Sequence, residues 1–137
     1  MASTFLTPVT LWKDFDDSLP LEVMTLSERT EEGIVWRDIR FLGRKAGDRR
    51  VNIYAKYVFP EKAARFPAVM VLFEAGCAFD EVFIRRFVGR GYGVLCVDYC
   101  GDNGTDPHTV YPPSIDYANY VRAGSHLEKA EPTARET

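Results

Sequence analysis

A chain of 137 residues, 46% of them hydrophobic and 13% aromatic, carries enough apolar surface for one packed domain, which excludes an intrinsically disordered chain. Its formal charge is −3, and no basic run is interleaved with aromatics (Arg49-Arg50 is too short), so no nucleic-acid partner is expected. No apolar stretch reaches the roughly 18 residues of a spanning helix, and the N-terminus lacks a positive segment followed by an apolar core, so no membrane is expected and the cytoplasm is the default location.

Residues 1–20 read as an N-terminal arm, with Pro8, Pro20 and the acidic group Asp14, Asp16 and Asp17. Leu11, Trp12 and Phe15 fall within one helical turn and would pin the arm to a domain occupying residues 21–137. Leu21 to Thr30 alternates loosely, Glu31-Glu32-Gly33 reads as a turn, and Ile34 to Leu42 resumes the alternation, which predicts a hairpin. Gly43 to Arg50 reads as a polar turn. Val51 to Phe59 alternates more cleanly, with Val51, Ile53, Ala55, Tyr57 and Phe59 on one face.

After the connection Pro60 to Arg65 and Phe66-Pro67, the pattern changes. Ala68 to Phe73 is a continuous apolar run, which predicts a strand buried on both faces. Phe79 to Arg90 places Phe79, Val82, Phe83, Phe87 and Val88 at helical spacing, with Arg85, Arg86 and Arg90 mostly opposite. Gly89, Gly91 and Gly93 end that helix, and Val94 to Val97 forms a second apolar strand closed by Asp98-Tyr99. Strand, helix and strand make a βαβ unit, so the expected fold class is α/β: antiparallel strands first, then parallel strands covered by helices. Residues 100–114 are dense in Gly, Asp and Pro and read as loop; Ser114 to Leu127 is ambiguous, and Glu128 to Thr137 opens with helix-start signals at Glu131 and Pro132.

Tyr54 with Val58-Phe59-Pro60, then Phe66-Pro67-Ala68-Val69, then Arg90-Gly91-Tyr92-Gly93-Val94, then Asp98-Tyr99-Cys100-Gly101, follow one another in an order that resembles the N-terminal part of an α/β-hydrolase. The type is that of acetylxylan esterases, cephalosporin-C deacetylases and dienelactone hydrolase-like enzymes, and the likeness covers roughly residues 21–105. The resemblance implies a serine hydrolase of carboxylic esters acting through an acyl-enzyme, with a small ester as substrate and no cofactor or metal. It also implies that the loop after the Ala68 strand supplies a backbone N–H to the oxyanion, which makes Glu74, Ala75, Gly76 and Cys77 the candidates. This loop departs from the usual His-Gly-Gly run, since Glu74 stands at the His-like position.

The nucleophile of such enzymes sits in G-x-S-x-G at a strand-helix elbow, followed along the chain by an acid and a His. None of Ser3, Ser18, Ser27, Ser114 and Ser125 has Gly two positions before and two positions after it. No catalytic nucleophile, acid or His is therefore assigned, and the sheet is expected to stop before the elbow, as an incomplete α/β-hydrolase domain inactive on its own. A fragment of an acyl-peptidase-like hydrolase would look alike.

The remaining chemistry-bearing residues have structural readings. Asp98 is expected to tie down the following loop. Three cysteines give no disulfide framework, and Cys77, Cys96 and Cys100 read as free buried thiols. Cys96 and Cys100 would stand about 13 Å apart on an extended strand, too far for a zinc pair. His108 reads as a solvated loop residue, Ser125-His126 as adjacent side chains that cannot face each other, and Asp102, Asn103 and Asp106 as too short a run for a calcium loop. A reading of a different class is a non-catalytic half-domain. The Val94–Val97 strand would lie at an open hydrophobic edge, available for self-association or for a complementing chain.

Overall fold

The computed structural model describes residues 16–74, 76–99, 101 and 107–112. Three antiparallel strands come first: β1 (Met24–Glu31), β2 (Ile34–Ala46) and β3 (Arg49–Pro60). β1 and β2 turn through Glu32 and Gly33, whose φ values of 53° and 74° are those of a type I′ turn, the geometry whose twist matches the flanking strands. The N-terminal lead is fixed from β2, because the Leu42 N–H donates to the Leu21 carbonyl at 2.7 Å.

The turn expected over Gly43 to Arg50 is mostly strand. β2 and β3 stay paired down to Ala46↔Arg49, with a register shift between Leu42 and Lys45 and a short turn at Gly47-Asp48. The Arg50 side chain explains why the polar segment stays extended: its guanidinium donates to the carbonyls of Gly43 (2.9 Å), Leu42 (2.9 Å) and Pro20 (2.7 Å). Those carbonyls face the irregularity, and one planar fork satisfies them together. A Cβ at Gly43 would begin 2.5 Å from Ile53 Cδ1, so a larger residue there would make the Ile53 side chain shift.

Two parallel strands follow, β4 (Ala68–Val71) and β5 (Gly93–Val97), joined through α1 (Glu81–Val88). Asp80 caps α1 by accepting from the Phe83 N–H at 3.0 Å, and Glu81 in the first turn and Arg85 and Arg86 in the last complement the helix dipole. Gly91, at φ +88°, supplies the left-handed turn into β5. The helix is shorter than expected and rotated: Ile84 is fully buried while Val82 is 63% exposed. The cap at Asp80 sets the first turn, and Arg85 is drawn to the hairpin by Glu31 (2.6 Å) and Glu32 (3.1 Å).

The strand order is β1-β2-β3-β5-β4, with β5 antiparallel to β3 and parallel to β4. Among the described residues this is a mixed five-stranded sheet with one short helix, an α/β arrangement. The core lies between α1 and one face of the sheet: Trp36, Val58, Val94 and Cys96 from the strands meet Ile84 and Val88 from the helix, flanked by Val69, Val71, Phe73, Phe79 and Phe87. On the other face Ile39, Val51 and Ala55 are buried as well, so the even-odd contrast expected within β3 gives way to burial on both sides.

Two expectations about the parallel strands are corrected. The Val94 strand is not at the edge, because β5 is held between β3 and β4. The outer strand is β4, and it is not buried on both faces: Met70 is 67% exposed and Leu72 just beyond it 60%. The apolar run over residues 68–73 is thus a four-residue strand with a single strand neighbour among the described residues.

Candidate functional site

Ligands of open parallel sheets gather at the carboxyl ends of the strands, where loops of adjacent strands meet. Here that end is formed by the segment leaving β4 (Leu72 to Asp80) and the segment leaving β5 (Asp98 onward). Both oxyanion-loop candidates and the strand-end carboxylate therefore fall at one end of the sheet.

The segment after β4 closes as a tight turn. The Cys77 N–H donates to the Glu74 carbonyl at 3.2 Å, and Gly76 takes φ +77°. A left-handed residue at this point favours glycine for its backbone alone, since a Cβ there would meet nothing within 4 Å. Glu74, Gly76 and Cys77 are all exposed, and Ala75 lies outside the described residues. The turn thus engages the Cys77 amide internally. Cys77 is exposed, which corrects the expectation of a buried thiol; Cys96 is fully buried, and that burial pushes its thiol up to about 12.

The segment after β5 is anchored by Asp98, which is 2% exposed. Its carboxylate accepts from the Gly101 N–H at 2.9 Å and from the Thr109 N–H at 2.7 Å. Thr109 in turn donates its hydroxyl to the Asp98 carbonyl and accepts from the Tyr54 N–H at 2.8 Å. Beside it Asn52 and Val110 exchange backbone hydrogen bonds of 3.0 and 2.8 Å, so the returning chain is stitched to β3. The expected loop-tying role of Asp98 is what the structure shows. His108, adjacent to this stitch, is partly buried rather than fully solvated. Trp12, Cys100, Asp102, Asn103, Asp106, Ser114, Ser125 and His126 lie outside the described residues. Among the described residues no three His, Cys, Asp or Glu side chains cluster as metal ligands do.

A second polar cluster was not anticipated. On the helix-covered face, Asp38 of β2 accepts from the Tyr54 hydroxyl at 2.7 Å and from the Ser27 hydroxyl at 2.6 Å, with Lys56 Nζ at 3.3 Å. Burial works against the Asp38 carboxylate, but the two hydroxyls and the Lys56 ammonium outweigh it and hold its pKa below the ordinary value. Burial and the neighbouring Asp38 push the Tyr54 phenol upward, so it stays a donor. Tyr54 also stacks on Phe79, centroids 5.9 Å apart, which links this cluster to the segment leaving β4. The signal was present in the register: Ser27, Asp38, Tyr54 and Lys56 occupy one face of three adjacent strands, visible only once the strand pairing is known.

Among the described residues, no helix is long and apolar enough to cross a membrane. No family model matches the chain. No curated protein matches it. Solved structures do match. Acetyl xylan esterase 1 from Thermoanaerobacterium sp. JW/SL YS485 is similar over 82% of this chain and 37% of its own, with 19% identity and a TM-score of 0.54. The acetyl xylan esterase from Paenibacillus sp. R4 is similar over 82% of this chain and 38% of its own, with 16% identity and a TM-score of 0.51. The chain spans less than two-fifths of the length of the esterases it matches, and over that span it shares their fold.

Proposed function

We propose that this chain is the N-terminal part of an esterase-like serine hydrolase acting on carboxylic esters, with an acetyl group on a sugar or a similar small ester as the substrate class. The observation that supports this reading is the fold likeness to two acetyl xylan esterases, spanning 82% of the chain. The order of the Tyr54, Phe66-Pro67, Arg90-Gly91-Tyr92 and Asp98-Tyr99 motifs agrees with it.

In this reading the chain contributes scaffold and one electrostatic element. The Glu74–Cys77 turn offers a backbone N–H at the carboxyl end of β4, where a tetrahedral oxyanion would be stabilised by donors fixed before the reaction. Of the candidates Glu74, Ala75, Gly76 and Cys77, the Cys77 amide already bonds to the Glu74 carbonyl, which turns the reading toward Gly76 among the described residues. The nucleophile, acid and His belong to parts of the fold that these 137 residues do not carry, since no Ser here stands in G-x-S-x-G. An oxyanion donor without a nucleophile gives no acyl-enzyme, so the chain by itself is catalytically inert. An acyl-peptidase-like parent would use the same scaffold, and ester and amide substrates separate the two.

The test is hydrolysis of p-nitrophenyl acetate by the purified chain. The expected result is no turnover above buffer. Saturable turnover that disappears when Ser27 or Ser114 is replaced by Ala would show a nucleophile within the chain and overturn the reading.

A further inference from the structure

Tyr54 stands where both carboxyl-end segments are tied to the sheet. Its backbone serves the segment leaving β5: the N–H donates to the Thr109 hydroxyl at 2.8 Å, and the carbonyl accepts from the Asp98 N–H at 3.0 Å. Its ring serves the segment leaving β4, stacked on Phe79 with centroids 5.9 Å apart and planes 12° from parallel. Phe79 also meets Phe73, with centroids 5.7 Å apart. Both separations lie in the range where aromatic pairs attract. Phe73 and Phe79 flank the Glu74–Cys77 turn along the chain, so their contact closes the base of that turn, and the Tyr54 ring backs it from β3. The ring itself is fixed, because Tyr54 is 3% exposed and its hydroxyl donates to Asp38 at 2.7 Å. Asp38 is held in turn by the Ser27 hydroxyl and Lys56 Nζ.

We propose that Tyr54 is a positioning residue for the candidate oxyanion turn, acting through its ring on Phe79. The inference rests on the hydrolase reading for what the turn does, whereas the place the turn occupies is a property of this chain. A backbone donor stabilises an oxyanion only if its N–H is held where the charge will develop, before the reaction begins. Glu74, Gly76 and Cys77 are exposed, and the bond from Cys77 to Glu74 shapes the turn without fixing it to the sheet. The aromatic pair at its base supplies that attachment, and Tyr54 joins the pair to β3. Because the backbone of the same residue holds Asp98 and Thr109, the two carboxyl-end segments share one frame.

Backbone order parameters of Gly76 and Cys77, from NMR relaxation of the full chain, read the placement without a substrate. They report motion within the folded state, so a change in overall stability alone does not move them. The expected values are about 0.85 in the parent and below about 0.6 in Tyr54→Leu and in Phe79→Leu, each of which removes one ring of the stack. Tyr54→Phe keeps the ring and should stay near the parent value. Phe59→Leu removes a stack of similar size on Phe66, centroids 5.7 Å apart, and should leave the turn unchanged. Circular dichroism checks that each variant is folded, and Tyr54→Met carries the test if Tyr54→Leu is not. A turn already below about 0.6 in the parent, or one that keeps its order when the Tyr54 ring is removed, overturns the proposal. An equal loss in Phe59→Leu overturns it too, since the effect would then not pass through Phe79. Either result leaves the hydrolase reading standing. Serine-dependent turnover of p-nitrophenyl acetate would overturn that reading and leave these order parameters as they are.

Discussion

The two edges of the sheet are built differently. β1 is eight residues long, exposed along its length, and interrupted by a register shift between Thr25 and Ser27. It carries Glu28, Arg29 and Glu31, each in an ion pair: Glu28 with Arg37, and Arg29 with Glu31 (3.1 Å) and Glu81 (3.0 Å). β4 is four residues long, uncharged and regular. The first is an edge that another strand would have to discharge and straighten before pairing; the second needs only to be approached. Parallel strands are ordinarily covered on both faces and paired on both sides, and β4 belongs to that half of the sheet. The difference is one of edge chemistry among the described residues: the antiparallel edge is charged and irregular, and the parallel edge is apolar and regular.

That contrast can be broken at its root, because both halves lean on one core. Ile84 is fully buried against strands from both. Ile84→Ala should cost about 2–5 kcal/mol, and chemical denaturation followed at Trp36 and by circular dichroism should show a single shifted transition. Separate transitions would mean that the halves are independent bodies. Asp98→Ala comes next. It strands the buried amides of Gly101 and Thr109 and should cost about 2–4 kcal/mol, loosening the chain after β5 while sparing the hairpins in hydrogen exchange.

On the antiparallel side Asp38→Asn should cost about 1–3 kcal/mol. The folded state holds this carboxyl below its ordinary 3.8, so its contribution is complete above that value and is lost as the pH falls through the lower folded pKa. Acid titrations of stability should therefore be flatter for Asp38→Asn below about pH 4 than for the parent. Arg85→Ala removes two exposed ion pairs with Glu31 and Glu32 and a cation–π contact 5.0 Å from the Trp36 ring, and should cost only about 0.5–1 kcal/mol in a denaturant melt. Met70→Lys, at an exposed position, should leave the melting within about 0.5 kcal/mol of the parent.

Much of the scaffold was legible because local rules carried it. The turn at Glu32-Gly33, the existence of strands β2 and β3, and the end of α1 at its glycines all follow from preferences of a few neighbouring residues. The misread pieces depend on distant partners. Gly43 to Arg50 looks like a turn until the Arg50 guanidinium is seen to satisfy the Leu42 and Gly43 carbonyls. The helix face was misjudged because Arg85 answers to Glu31 and Glu32, more than fifty residues away. The edge was misplaced because chain order does not fix strand order: β5 inserts between β3 and β4. The segment after β4 was singled out by resemblance, and which amide its turn consumes is decided by the Cys77 to Glu74 bond. The Asp38 cluster needed the register of three strands and could not be read from spacing along the chain.

The most direct measurement is residue-resolved amide hydrogen exchange along β4, by NMR, at low protein concentration. At low concentration the amides of Val69 and Val71, bonded toward β5, should exchange slowly, and that of Met70, aimed outward, should exchange fast. If Met70 is as protected as Val69 at that concentration, the edge is already covered within one chain, and the asymmetry between the two edges does not hold.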